Sequence, residues 1–217
     1  MTVKRKLKTE NQKALIIANG TPPATSIVRR LARSAELIVC ADGGANYART
    51  MKITPDVILG DLDSILVSTK KFFQSIPLLR VKDQESTDLE KAIEFCIGHN
   101  IQSVDVVGAT GNRIDHSTGS LGCFKKFAHR VDLRMYDTVG FLTLVRGTIT
   151  LKMKRGEKLS LIPLGRCRGV STRNLLYPLR DEALELGVRE GTSNEATSST
   201  VRVSVKSGTL LMYRFYA

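Results

Sequence analysis

Leu78-Leu79-Arg80-Val81, Thr87-Asp88-Leu89-Glu90-Lys91-Ala92-Ile93-Glu94-Phe95-Cys96-Ile97-Gly98 and Val104-Asp105-Val106-Val107 follow one another along the chain, and their reading decides the fold. In the middle segment Leu89, Ala92, Ile93 and Cys96 recur at i, i+3, i+4 and i+7, the spacing of a helix with one buried face. The runs on either side are short and apolar, as strands are. Strand, helix and strand in succession predict parallel strands of one sheet joined by a crossover helix, because parallel strands cannot be joined by a tight turn.

The alternation extends towards the N-terminus. Ala14–Ala18 reads as a buried strand stopped by Asn19-Gly20 and Pro22-Pro23, Ile27–Ala35 as a helix, and Leu37–Cys40 as a second strand. Ala45–Met51 (helix), Val57–Leu59 (strand) and a helix starting near Asp115 continue the series. Continuous apolar strands between helices imply an α/β fold, a parallel sheet covered on both faces. Around Val131 the pattern turns into short β-like runs: Leu133–Tyr136, Thr148–Met153, Lys158–Pro163, Thr200–Val205 and Leu210–Tyr216. Lys206-Ser207-Gly208 predicts a tight turn and a terminal hairpin, Asp181–Leu186 a turn, and Glu190–Thr200 a loop. The expected organisation is an α/β domain over residues 1–139 and a mainly antiparallel domain over 140–217.

Composition narrows the function. With 217 residues, 42% hydrophobic and 25% charged, the chain is globular. No apolar run approaches the roughly 20 residues that span a bilayer, and Ala14–Ala18 is shorter than a signal-peptide core of roughly 7–15 residues. We therefore expect a soluble, cytoplasmic protein. The net charge of +12 favours anionic partners, but the excess is spread along the chain, aromatics are 6% and Trp is absent, which argues against a base-stacking nucleic-acid surface. Cys40, Cys96, Cys123 and Cys167 form no C-x-x-C pair, so neither zinc nor a disulfide scaffold is expected.

Four segments end a strand and carry chemistry, at the edge where open parallel sheets bind ligands. Ala41-Asp42-Gly43-Gly44-Ala45-Asn46 opens a helix with a Gly pair, either an anion cradle or an ordinary turn capped by Asp42. Gly60-Asp61-Leu62-Asp63-Ser64 sets two carboxylates one residue apart, able to share a hard cation such as Mg²⁺, although read alone this is also a capping turn. Asp83-Gln84-Glu85-Ser86-Thr87-Asp88 adds a second acidic cluster, in which Thr87 or Asp88 can cap the helix. Gly108-Ala109-Thr110-Gly111-Asn112-Arg113-Ile114-Asp115-His116 carries glycines that let backbone approach phosphate and an Arg fork to bind it, matching neither a Walker loop nor a dinucleotide fingerprint.

In that order the four motifs resemble the thiamine pyrophosphokinases. Ser171-Thr172-Arg173-Asn174-Leu175-Leu176-Tyr177-Pro178-Leu179 resembles that family's S-T-x-G-L-K-Y-P-L segment, with Asn174 and Leu176 in place of its glycine and lysine; Gly191-Thr192-Ser193-Asn194-Glu195 is similar to its S-N-E loop. Asn112 stands where a glycine is usual. The resemblance implies a Rossmann-like catalytic domain followed by a β-sandwich thiamine-binding domain, in a homodimer with active sites between subunits. It implies transfer of the diphosphate of ATP to the hydroxyl of thiamine, leaving AMP. Asp61, Asp63 and Asp88 would bind Mg²⁺ and act with Arg113 in catalysis. Asp42, Gly43, Gly44, Thr87, Gly108, Thr110, Gly111, Arg113, Asp115 and His116 would bind ATP. Gln84, Tyr177, Ser193 and Asn194 would face thiamine. The residues support this chemistry separately, since phosphoryl transfer needs positioning and charge stabilisation and an alcohol nucleophile gains from a nearby carboxylate, Asp88 or Asp42. A diphosphokinase for another alcohol, such as a hydroxymethyl pterin, and a basic nucleic-acid-binding module are the alternatives; crowded carboxylates repel a phosphate backbone and count against the latter.

Overall fold

In the computed structural model, which describes residues 12–83, 85–111 and 113–216, each apolar run of the first half is a strand. The elements are β1 (Lys13–Ile17), α1 (Thr25–Ser34), β2 (Leu37–Ala41), α2 (Gly44–Thr50), β3 (Val57–Gly60), α3 (Val67–Phe72), β4 (Leu78–Arg80), α4 (Asp88–Gly98), β5 (Ser103–Val107), α5 (Ile114–Phe127) and β6 (Asp132–Tyr136). The strands run parallel in the order β6-β5-β1-β2-β3-β4. The chain steps outward from β1 to β4, then returns to the far side of β1. Its direction reverses between β1 and β5, the arrangement that opens a crevice at the carboxyl ends of the strands.

Helix α4 buries Leu89, Ala92, Ile93 and Cys96, the face its spacing predicts. Thr87 caps it: its hydroxyl accepts from the Glu90 N–H at 3.2 Å, and its own N–H donates to Glu90 Oε2 at 2.9 Å, a reciprocal capping box. Helix α3 has no apolar period to announce it. It buries only Thr69 and is held by Arg49, which donates to Ser68 Oγ at 2.7 Å and lies over the Phe72 ring. Strand β6, the first of the short β-like runs and inside the span expected for the α/β domain, pairs in parallel with β5 and ends the first set of strands.

Two compact units divide after Thr138. The second contains β7 (Gly140–Leu144), β8 (Thr148–Lys152), β9 (Lys158–Pro163), β10 (Cys167–Arg173), β11 (Glu182–Leu184), β12 (Gly191–Glu195), β13 (Thr200–Ser204) and β14 (Leu210–Phe215). All its pairings are antiparallel, in the orders β12-β9-β14-β7 and β11-β10-β13-β8. Leu159, Leu161, Leu210 and Met212 from one set share an apolar cluster with Val170, Leu184, Val201 and Val203 from the other.

Three expectations change here. The Lys206–Gly208 turn makes no hairpin, because β13 pairs with β8 and β10 while β14 pairs with β7 and β9. Residues 190–200 are not all loop: β12 is polar in sequence yet paired to β9, with Asn194 buried. The stretch read as a turn at Asp181–Leu186 contains β11. Strand β10 has no predicted counterpart because its register shifts between Cys167 and Val170, around Gly169 at φ 66°, which breaks the alternation. Among the described residues no helix is long and apolar enough to cross a membrane.

Candidate active site

The acidic site grows from the ends of β2 and β3. Asp42, at φ 43°, donates its N–H to Leu59 O at 2.8 Å, and its Oδ2 accepts from the Ser64 N–H at 3.2 Å. The residue is 4% exposed, and Oδ1 has no hydrogen-bond partner among the described residues. Burial pushes the Asp42 carboxyl above the usual range; the Ser64 side chain and the Gly43 N–H oppose this, and the Asp88 and Asp61 charges add to it. The adjoining glycines serve packing. A Cβ on Gly44 would lie 2.0 Å from Ile17 O, and one on Gly43 would lie 2.4 Å from the Asn19 side chain.

Gly60 ends β3 at φ 142°, and a Cβ there would meet Asp42 Cβ at 3.0 Å and Asp88 Oδ1 at 3.1 Å. Only a residue without a side chain leaves room for both acids above it. One carboxylate oxygen each from Asp42, Asp61 and Asp88 lies within 4.8 Å of the others. The sequence led to Asp61, Asp63 and Asp88; the structure brings Asp42 into the group and leaves Asp63 out. Leu62, at φ 66°, turns the chain between the two neighbouring acids. Asp63 Oδ1 instead accepts from the Ser64 hydroxyl at 2.9 Å, and the Asp63 N–H donates to Asp61 Oδ1 at 3.3 Å. Two residues that sequence reading missed anchor this loop. Asn46 donates to Ser64 O at 3.0 Å and accepts from the Leu66 N–H at 3.1 Å, while Lys70 Nζ donates to Leu62 O at 2.7 Å.

Asp88 arrives on the first turn of α4, where Lys91 Nζ pairs with its Oδ1 at 3.0 Å. Thr87 beside it is committed to the cap. Asp83 accepts from the Ser86 hydroxyl, which holds its carboxyl below the usual range. Gln84 and Asn112 lie outside the described residues. Three carboxylate oxygens, a buried oxygen without a partner and a glycine kept clear beneath them fit a hard, oxygen-seeking dication.

The second part of the rim joins the loops after β1 and β5. The Gly20 N–H donates to Gly108 O at 2.7 Å and the Thr21 N–H to Thr110 O at 2.8 Å. A Cβ on Gly108, at φ 69°, would lie 2.6 Å from Ala18 O; one on Gly111, at φ 118°, would lie 2.4 Å from Thr21 Oγ1. These glycines let two backbones close on each other, and Asn19-Gly20, read only as a strand stop, belongs to the rim together with Thr21. Arg113 turns its fork onto Asp115, with Nη2 to Oδ2 at 2.5 Å and Nε to Oδ1 at 3.1 Å. Both side chains are exposed, and Arg113 lowers the Asp115 carboxyl to about 2. His116 follows, exposed on the first turn of α5.

In the second unit Asn194 is turned on its own chain. Its Nδ2 donates to Tyr177 O at 2.7 Å, and its Oδ1 accepts from the N–H groups of Tyr177 at 3.0 Å and Glu195 at 2.9 Å. Expected as a ligand contact, it is 5% exposed and fixes the Tyr177 backbone. Tyr177 itself is 66% exposed. Ser193, at φ 55°, donates its N–H to Ser160 Oγ at 2.9 Å. Asn174 sits at φ 62°, which explains how it replaces a glycine, and its amide donates to Thr200 O at 2.7 Å.

Residues 28–136 match the family model "Thiamin pyrophosphokinase, catalytic domain", and residues 128–210 match "Thiamin pyrophosphokinase, vitamin B1 binding domain". The chain belongs to the thiamine pyrophosphokinase family. Thiamine pyrophosphokinase 1 of Oryza sativa subsp. japonica is 30% identical over 202 residues, 80% of this chain and 76% of its own. Thiamin pyrophosphokinase 1 of Caenorhabditis elegans is 27% identical over 213 residues, 90% of this chain and 85% of its own. The fold also matches solved structures of thiamine pyrophosphokinases. For the Candida albicans protein the TM-score is 0.85 at 21% identity, over 96% of this chain and 90% of that one. For the Bacillus subtilis protein it is 0.83 at 20% identity, over 94% and 99%.

Proposed function

We propose that this chain transfers the terminal diphosphate of ATP to the hydroxyl of thiamine, giving thiamine diphosphate and AMP. The observation that carries the reading is the meeting of Asp42, Asp61 and Asp88 at the carboxyl edge of the parallel strands, in a chain of this family. Asp42, Asp61 and Asp88 would hold magnesium. The ion, when bound, supplies positive charge to the phosphate oxygens. The chain's own groups do the rest. Gly60 keeps the approach open, and the capped start of α4 fixes Asp88. Arg113 exchanges its surface partner Asp115 for phosphate. In the transfer the thiamine oxygen bonds to the β-phosphorus, the bond from that phosphorus to the AMP oxygen breaks, and the hydroxyl proton passes to a carboxylate, Asp88 or Asp42.

Gly43, Gly44, Thr87, Gly108, Thr110, Gly111, Asp115 and His116 form the nucleotide rim in this reading, Asp63 a neighbouring acid. The second unit, matched as a vitamin B1 binding domain, takes thiamine, with the Tyr177 ring presented by Asn194; the resemblance to the family adds Ser193 and Gln84 to the thiamine contacts. The resemblance supports a homodimer with active sites between subunits. Four buried, free cysteines are in keeping with the reducing cytoplasm. The test is the product. ATP, Mg²⁺ and thiamine should yield AMP and thiamine diphosphate in equal amounts. Formation of ADP, or of AMP only with a hydroxymethyl pterin, overturns the reading.

A further inference from the structure

Lys91 stands where a helix disfavours a cation. It is the fourth residue of α4, close to the positive end of the peptide dipoles. Its side chain is 9% exposed, so its ammonium has given up most of its water. It lines a cavity of about 350 Å³ whose other walls are apolar (Leu59, Leu79, Val81, Phe95) and acidic (Asp83, Glu94), and its ammonium pairs with Asp88 Oδ1 at 3.0 Å. Among the described residues this is the one ion pair made by any of Asp42, Asp61 and Asp88. Two features that each disfavour the cation are thus balanced chiefly by its ion pair with the acidic group, with the Asp83 charge acting at longer range, and that group contains Asp42 Oδ1, buried without a partner among the described residues.

We infer that Lys91 is a positioning residue for the cation site. By holding Oδ1 of Asp88 beside Gly60, it leaves Oδ2 for the ion and lets three carboxylates gather before the ion arrives. The inference rests on the trio's being the cation site of the proposed function. Supporting groups around metal-binding carboxylates typically change metal affinity about 10–100-fold when removed. A lysine that merely crowds the site would do the opposite, since its charge repels the ion.

Titration calorimetry of the full chain with Mn²⁺ separates the two. Lys91→Met, which keeps the stem, should weaken Mn²⁺ binding roughly 10–100-fold, and Lys91→Arg should restore most of it. In an Asp88→Asn background the Met substitution should cause no further loss. Unchanged or tighter binding by Lys91→Met overturns the inference, as does an undiminished effect in the Asp88→Asn background. Should Lys91→Met fail to fold, folding of the double variant supports the inference, because the Asp88 charge is then what Lys91 balances; failure of both overturns it. Normal Mn²⁺ results in a protein that forms no AMP from thiamine would sink the thiamine reading alone.

Discussion

The acidic edge of the first unit and the Asn174–Asn194 region of the second treat their polar groups in opposite ways. At the edge, Asp42 is buried with an oxygen unpartnered among the described residues, and three carboxylates crowd together. In the second unit, Asn194 and Asn174 spend their amides on the backbone of their own chain. Both regions carry family motifs. The first set of side chains is left wanting a partner from outside; the second is already satisfied and shapes a surface. A motif match alone does not tell a ligand contact from a scaffold residue, and hydrogen-bond accounting does.

Substitutions can break this contrast, starting with the largest effect. Asp88→Asn should lower kcat/KM for ATP by roughly 10²–10³-fold, the scale of losing one charge-stabilising group. Asp63→Asn, outside the trio, should cost far less. Equal losses in steady-state assays would mean that the grouping does not define the site. Asn194→Ala should act on stability, because it strips the Tyr177 N–H and C=O of partners. We expect a loss of about 1–3 kcal/mol, read by denaturant melts, with Mn²⁺ affinity unchanged. A stable Asn194→Ala variant with a raised KM for thiamine would make the residue a ligand contact after all.

The smallest effect concerns Asp42. A carboxyl whose folded pKa is raised contributes stability below its unfolded value and loses it as pH rises through the folded value. At neutral pH the ionised side chain is therefore a cost, and Asp42→Asn should raise the melting temperature of the metal-free protein. The gain should be the smallest of these effects, read in thermal melts. It should shrink as pH falls into the carboxylate range. A gain independent of pH would mean that the charge is not its source.

Much of this was legible in the sequence wherever local and long-range preferences agree. The Leu89–Cys96 stripe, the Thr87 cap and the five apolar runs from Ala14 to Val107 are such cases. Strand β10 was hidden by its bulge at Gly169, and β12 by a polar sequence that only pairing with β9 makes a strand. Asp42's membership of the trio was hidden for a similar reason. It depends on β2 lying beside β3, fixed by the Asp42 N–H on Leu59 O, which no spacing along the chain records. Lys91 was within reach, three residues after Asp88 on a helix already recognised, as was Asn174, whose place in a glycine's position announces a left-handed backbone.

The four thiols have a practical consequence. Cys40 lies two residues before Asp42, Cys96 and Cys123 lie on α4 and α5, and Cys167 lies in the second unit; all are 1% exposed or less. Burial raises the Cys96 and Cys123 thiols to about 12, so none reacts while its surroundings stay closed. The unaltered protein therefore carries its own clocks. Labelling with a disulfide reagent, resolved by peptide, times the transient opening of each unit separately, and adding nucleotide should slow Cys40 and Cys96 first.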